Sequence, residues 1–198
     1  MARIISVIFH PLIMPPLGLL LLFNSGTYLE FLPFPQKKII FLIMLTGTTI
    51  LPLTLIPVML LQKMISNLRM EDRRERVLPL VITVIFYCFT WFMMARLNVP
   101  HLISIYTITA CLAVLLCALV SLSWKISLHM TALGALAGML LAIALRFNIN
   151  LLLYLSSVIL AGGLTGWSRL ALKAHTPGQV YSGYAVGSVL AFFIMFIF

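Results

Sequence analysis

Three short polar segments carry most of the side chains in this chain that could perform chemistry. Their members are Arg69 and Arg76 in the first, Ser127 and His129 in the second, and Ser168, Arg169, His175 and Gln179 in the third. Arginine binds anions, a hydroxyl donates hydrogen bonds, and an imidazole acts as a nucleophile or as an acid–base group. This combination of residue types suits reactions of a phosphate ester, in which several fixed cations surround the transferred oxygens.

The rest of the chain is strongly apolar. Of its 198 residues, 63% are hydrophobic and only 9% are charged. A membrane-spanning helix needs about 20 mostly apolar residues, so this length allows six or seven spans and leaves no room for a separate soluble domain. We therefore predict an all-α, polytopic membrane bundle that forms one integral-membrane domain over residues 1–198. Ionisable groups near such a bilayer are candidates for function.

The charge balance points to anionic partners. The chain carries 13 Lys and Arg against four Asp and Glu, a formal net charge of +9. Because the basic residues lie at the ends of apolar runs, we expect them to meet anionic headgroups or an anionic substrate, and not nucleic acid. The three cysteines lie inside apolar runs and show neither metal-ligand spacing nor a disulfide pattern.

Seven apolar runs can be traced along the sequence. They cover approximately residues 4–23, 37–61, 77–95, 101–122, 130–145, 151–167 and 180–198. His10-Pro11 and Pro15-Pro16 interrupt the first run, and proline kinks a helix. His10 could join two helices or mark a second site, and we favour the first interpretation. The pair of runs between Val77 and Leu122 could either span the membrane or re-enter it.

Counting these runs predicts where the polar segments lie. Two runs separate the segment at 69–79 from that at 125–129, and two more separate the latter from 168–179. All three segments then reach the same membrane face whether the middle pair spans or re-enters. Arg69 and Arg76 are seven residues apart, so they share one face of a helix. The sequence therefore predicts a single site built from all three segments.

The order and spacing of these residues resemble the type 2 phosphatidic acid phosphatase (PAP2) superfamily. That family has Lys-x6-Arg-Pro, then Pro-Ser-Gly-His, then Ser-Arg-x5-His-x3-Asp. Here the corresponding residues are Arg69 and Arg76, Ser127 and His129, and Ser168, Arg169, His175 and Gln179. The chain departs from the pattern at several positions, of which Gln179 in place of Asp and Leu128 in place of Gly matter most. The resemblance covers a little over half of the chain.

The resemblance implies a PAP2-like bundle and a role for each residue. His175 would attack phosphorus and form a phosphohistidine, and His129 would protonate the leaving oxygen. The phosphate ligands would be Arg69, Arg76, Ser127, Ser168 and Arg169. No metal or other cofactor is implied, because the arginines stabilise the developing charge. Gln179 can orient His175 through its amide oxygen but brings no negative charge to it.

Two functions remain as alternatives. The first is a metal-independent phosphatase acting on a lipid phosphate or pyrophosphate, such as isoprenyl pyrophosphate, phosphatidylglycerophosphate, phosphatidate or lipid A phosphate. The second is a non-catalytic phospholipid-binding or lipid-transport protein that retains the phosphate ligands, and Gln179 favours it. Counting basic residues assigns the site to the cytoplasmic face. Because several of those residues are candidate phosphate ligands, and bacterial members of the family work on the outer face of the inner membrane, we favour the periplasmic face. The oligomeric state and the lipid headgroup stay open.

Overall fold

The chain folds into helices that are connected by short turns. The computed structural model describes residues 1–64 and 73–198. These described residues form nine α-helices and no β-strand. The helices are α1 Ala2–Ile8, α2 Met14–Phe23, α3 Phe34–Leu45, α4 Leu51–Leu61, α5 Arg73–Arg96, α6 His101–Ser121, α7 Leu128–Phe147, α8 Leu152–Ala171 and α9 Pro177–Ile197.

Six segments of the described chain are long and apolar enough to cross a membrane. They are Ala2–Phe23, Phe34–Leu61, Glu75–Arg96, His101–Ser121, Leu128–Phe147 and Pro177–Ile197. The first joins α1 to α2, and the second joins α3 to α4 through a π-helical turn at Thr46–Ile50. The prediction of an all-α polytopic membrane bundle is therefore confirmed. Both α5 and α6 are long enough to cross, which favours spanning over re-entry for this pair.

The helix α8 also runs the length of the bundle, although it is less apolar than the six spans. It has 20 residues, as many as α7, but includes Ser156, Ser157, Ser168 and Arg169. Its last turn lies beside the first turns of α1 and α7, as the contacts of Arg169 described below show. Because α8 starts just after α7 ends and finishes beside its beginning, the two helices run in opposite directions.

The first span is broken where the sequence places His10 before Pro11. His10 is extended, with φ −65° and ψ 135°, and a 3₁₀ turn at Pro11–Ile13 precedes α2. A residue before proline avoids the helical conformation, because the proline ring would clash with its backbone. The helix α1 therefore ends at Ile8, and its polar residues are turned toward α8 independently of α2.

The helices α7 and α9 pack backbone to backbone along a seam of small residues. A Cβ atom added to Gly134 would collide with the main-chain carbonyl of Tyr184, and one added to Gly138 would collide with that of Ser188. Small residues four apart allow this approach in membrane helices. The pairing of residues shows that α7 and α9 run in the same direction, so their N-terminal ends lie side by side.

Candidate functional site

A tight turn between α8 and α9 holds His175 at one end of the bundle. Lys173 adopts the left-handed conformation with φ 51°. The N–H groups of Lys173 and Ala174 donate to the carbonyls of Leu170 and Arg169, at 2.9 and 3.1 Å. This is a Schellman motif, which ends a helix and reverses the chain. It leaves His175 between the two helices with 8% of its surface exposed.

Gln179 fixes the orientation of His175. Its Oε1 accepts the N–H of Thr176 at 3.2 Å, and Nδ1 of His175 lies 3.1 Å from the same oxygen. Thr176 Oγ1 in turn accepts the N–H of Gln179 at 3.5 Å, which completes a capping box at the start of α9. Because an amide oxygen can only accept, the imidazole carries its proton on Nδ1. Its Nε2 therefore keeps a free lone pair, as a nucleophile requires.

The surroundings of His175 keep its imidazole neutral. The pKa of His175 is lowered to about 4, mainly by burial and also by the positive charges of Arg76, Arg169 and Lys125, while its hydrogen bond to Gln179 acts in the opposite direction. Three basic side chains therefore lie close enough to act on one buried imidazole. Cations grouped in this way attract an anionic ligand.

Ser127 lies beside Gln179, the hydrogen-bond partner of His175, because α7 and α9 begin together. Its N–H donates to the carbonyl of Gln179 at 3.4 Å. Ser127 is the N-cap of α7, yet its hydroxyl makes no capping bond. That hydroxyl is fully buried and has no hydrogen-bond partner among the described residues. It is thus a donor available to a ligand at a helix N-terminus, where backbone N–H groups also favour anions.

His129 faces the broken first span. Its Nε2 lies 3.1 Å from the carbonyl oxygen of Ser6 and 3.3 Å from the hydroxyl of the same residue. A carbonyl can only accept, so Nε2 of His129 carries a proton. The ring of His10 meets the ring of His129 edge to face, with 5.6 Å between centroids. The positive charge of Arg169 acts on both His129 and His175, so the two predicted catalytic histidines belong to one cluster.

Ser168 and Arg169, at the end of α8, contact the first helix. The hydroxyl of Ser168 donates to the carbonyl of Ala2 at 2.6 Å, and Nη1 of Arg169 donates to the hydroxyl of Ser6 at 2.8 Å. The Nε atom of Arg169 is buried and finds no partner in the described part of the chain. The guanidinium is therefore anchored at one end and has an unsatisfied donor in the interior.

Arg76 is the member of the first polar segment that the structure describes. It is buried, with 8% of its surface exposed, and its charge acts on both His175 and Arg169. Arg69 lies outside the described residues. The remaining predicted site residues lie at one end of the bundle, and they are Arg76, Ser127, His129, Ser168, Arg169, His175 and Gln179. We refer to Arg76, Ser127, His129, Arg169 and His175 as the polar cage.

Sequence reasoning missed the contribution of the first helix. Ser6 and the carbonyl of Ala2 contact three predicted site residues, although neither is marked by a motif. The second role of Gln179 was visible, because Thr176 and Gln179 have the spacing of a capping box. His10, which we interpreted as a contact between helices, touches His129 and so lies against the cage. A histidine at a helix break inside an apolar run was the available signal.

These features define an integral membrane protein of helical-bundle architecture with a buried, cation-rich site at one end. No protein-family model, no curated protein and no solved structure matches this chain. The assignment of a function therefore depends on the geometry of the polar cage, together with its resemblance in residue pattern.

Proposed function

We propose that this protein is a membrane-embedded, metal-independent phosphatase of the PAP2 type that hydrolyses a lipid phosphate or pyrophosphate. The observation that carries the proposal is the pair of buried donors Ser127 Oγ and Arg169 Nε, which have no hydrogen-bond partner among the described residues, beside a neutral histidine whose Nε2 is unprotonated. Buried polar groups without a partner are rare and costly in folded proteins. A bound phosphoryl group would satisfy both donors and bring its phosphorus within reach of the histidine.

The charges of the cage support an anionic ligand. The positive charges of Arg76, Arg169 and Lys125 all act on His175. Arg169 keeps a buried Nε donor without a partner in the described part of the chain, and a ligand of opposite charge would satisfy it. Arginine also forms paired hydrogen bonds with phosphate oxygens, which fits the requirement for a fixed geometry around phosphorus.

The two histidines suit a two-step displacement, because one can act as the nucleophile and the other as the acid–base group. In the first step Nε2 of His175 attacks phosphorus, the bond from phosphorus to the leaving oxygen breaks, and His129, which must enter this step as an imidazolium with protons on both ring nitrogens, gives that oxygen one of them and becomes neutral. In the second step His129 takes a proton from water, the resulting hydroxide attacks phosphorus, and the bond from phosphorus to His175 breaks. The products are the lipid alcohol, or the lipid monophosphate when a pyrophosphate is cleaved, and inorganic phosphate.

An apolar cavity beside the cage supports a lipid as the substrate. The cavity has a volume of about 100 Å³ and is lined by residues of α2, α5, α6 and α7. The hydroxyls of Thr83, Tyr106, Thr109 and Thr131 border it, but each donates to a main-chain carbonyl. The lining hydroxyls therefore have no proton left to donate to water, and a largely apolar cavity of this size stays dry or takes an apolar guest. Thr131 lies two residues after His129, so a headgroup in the cage would leave its chain near this cavity.

We further propose that the protein lies in the bacterial inner membrane with the polar cage on the periplasmic face. Single-cysteine variants in a cysteine-free background test this orientation. Ser123→Cys lies in the exposed turn before α7 at the end that holds the cage, and Asn150→Cys is its counterpart at the opposite end. In intact cells, an impermeant thiol reagent should label the first variant and spare the second. The reverse pattern would assign the cage to the cytoplasmic face.

The decisive experiment is phosphate release by the purified protein in detergent, with EDTA present, across a panel of lipid phosphates. We expect release by the wild type, none by His175→Ala, and normal release by His101→Ala, which makes the same change at the opposite end of the bundle. A His175→Ala variant that keeps full activity would contradict the proposed nucleophile. Tight binding of lipid phosphates by a wild type that releases no phosphate would favour the alternative, a lipid-binding or lipid-transport protein.

A further inference from the structure

The first helix supplies a residue to the polar cage. Ser6 is bonded to both Arg169 and His129, through its hydroxyl at 2.8 and 3.3 Å and through its carbonyl to His129 at 3.1 Å. Neither the resemblance in residue pattern nor the mechanism proposed above uses this serine. Its contacts are nevertheless with the general acid and with one of the phosphate-binding arginines of that mechanism.

The break in the first span explains why Ser6 can make these bonds. In a continuous helix its carbonyl would accept the N–H of His10, four residues further on. Here His10 N–H donates to the carbonyl of Val7 at 3.2 Å, and Phe9 N–H donates to that of Ile5 at 3.0 Å. The carbonyl of Ser6 is thus left without a helical donor, and His129 provides the missing hydrogen bond.

Each bond from Ser6 sets a property that the reaction requires. The carbonyl accepts from Nε2 of His129 and so fixes the ring and its tautomer, which leaves Nδ1 as the nitrogen that can exchange a proton with the substrate. The hydroxyl accepts from Nη1 of Arg169 and so fixes the guanidinium, while its buried Nε finds no partner within the described ranges 1–64 and 73–198. An arginine side chain has many rotamers, and fixing one in advance avoids an entropic cost when the anion binds.

We propose that Ser6 is a positioning residue of this site: its hydroxyl orients Arg169 toward the phosphoryl group, and its carbonyl fixes the protonated nitrogen of His129. The inference rests on the proposed phosphatase function. Holding α1 in place does not depend on this hydroxyl alone, because Ser168 independently anchors the same helix through the carbonyl of Ala2. The substitution Ser6→Ala therefore removes the contact with Arg169 while leaving an anchor for α1 and the carbonyl that meets His129.

The test compares Ser6→Ala with Ser6→Thr, which keeps a hydroxyl, and with the control Ser157→Ala. Ser157 is an exposed serine of α8 whose hydroxyl bonds only within its own helix, at 2.7 Å to the carbonyl of Leu153. Two quantities are measured for each variant: kcat and KM for a lipid phosphate, and the dissociation constant for inorganic vanadate by calorimetry. Vanadate resembles the phosphoryl group in the transition state of its transfer, and its binding does not require turnover. Thermal unfolding of all variants in detergent identifies any loss of fold.

We expect Ser6→Ala to lower kcat by about 10- to 100-fold, the range produced by a small misplacement of reacting groups. KM should change less, vanadate binding should weaken, and Ser6→Thr should recover most of both losses. Unchanged kcat and vanadate affinity in Ser6→Ala, or a loss that Ser6→Thr does not recover, would overturn the proposal. A gain in activity would also overturn it, because α1 would then be covering the site.

The two proposals can fail separately. A wild type that binds vanadate but hydrolyses no lipid phosphate would refute the phosphatase, and the vanadate affinities would still decide whether Ser6 positions Arg169. A wild type that hydrolyses lipid phosphates with Ser6→Ala fully active would refute only the role of Ser6. A wild type with neither activity nor vanadate binding would refute both.

Discussion

The two histidines of the cage lie in two differently built regions. His175 belongs to the tight turn between α8 and α9, where the side chain of Gln179 accepts from its Nδ1 at 3.1 Å. His129 belongs to the contact between α7 and the broken first span, where a main-chain carbonyl lies 3.1 Å from its Nε2. One ring therefore keeps a lone pair on Nε2, and the other keeps a proton there.

This difference shows how one residue type, histidine, can serve as a nucleophile in one environment and as an acid–base group in another. Groups whose environments set different protonation states are natural partners in acid–base chemistry. In the His175 region a side chain supplies the acceptor, so substitution can remove it. In the His129 region the backbone supplies the acceptor, so no side-chain substitution deletes it. Substitution can therefore change the hydrogen-bond acceptor of His175, whereas that of His129 stays in place.

Removing the side chain of His129 and varying the leaving group tests whether the two histidines have these different roles. We expect His129→Ala to lower kcat for a lipid phosphate by about 10²- to 10⁴-fold, the usual contribution of general acid–base catalysis. With p-nitrophenyl phosphate the first step should be nearly unaffected, because nitrophenolate leaves without a proton. The second step should remain slow, since no group would activate water.

The measurement is a rapid-mixing assay that follows nitrophenolate. The His129→Ala variant should give a burst close to one equivalent per protein and then slow turnover, with a trapped phosphoenzyme. His175→Ala should give no burst with the same substrate. Equal losses of His129→Ala on both substrates, without a burst, would show that His129 does not act as the acid.

The pH dependence of kcat/KM tests the environment of His175. Burial and neighbouring cations lower the pKa of His175 from 6.5 to about 4. Its neutral, nucleophilic form should therefore persist well below pH 6.5, and kcat/KM should fall only as the pH approaches about 4. The free energy of unfolding should decline from about pH 6.5 to about pH 4, because the unfolded chain takes up this proton first. A pH–rate profile locates the acidic limb.

Gln179→Glu provides a matched test of the cause. It keeps the length of the side chain and its capping role but adds a negative charge beside the imidazole. The carboxylate should raise the pKa of His175 and move the acidic limb upward, because it favours the imidazolium form. Thr176→Ala removes part of the capping box without removing the acceptor of His175, and it should leave the limb in place. An unshifted limb in Gln179→Glu would contradict the contact.

Much of the fold could be predicted from the sequence because bilayer physics constrains it strongly. The apolar runs located the spans, and Pro11 located the break in the first of them. Hydropathy could not indicate which helices pack together. The glycines of α7 and α9 were visible as a signature of close packing, yet their partners were not, since Gly134 meets Tyr184 only in three dimensions.

The site was less predictable where main-chain groups take part. The spacing of Ser168, Arg169 and His175 suggested phosphate chemistry, and the structure places these residues at the same end of the bundle. Ser6 could not be anticipated, because a lone serine in an apolar run resembles ordinary helix packing. Its importance comes from a carbonyl that a helix break leaves unpaired, and no side-chain pattern records such a group.

A small change in the stability of the fold is expected from the turn that carries His175. Lys173 adopts a left-handed conformation, with φ 51°, at the position where glycine is favoured. Lys173→Gly should relieve this backbone cost and stabilise the fold by about 0.5 to 1 kcal/mol, after allowance for the greater freedom of glycine in the unfolded chain. The matched change Asn98→Gly, in the turn between α5 and α6 with φ 49°, should stabilise less, because asparagine tolerates this conformation. Thermal unfolding in detergent compares the two variants.

Because Lys173→Gly leaves the contact between His175 and Gln179 intact, the acidic limb of the pH–rate profile should not move. A shifted limb would mean that the lysine side chain, and not only the turn, sets the protonation of His175.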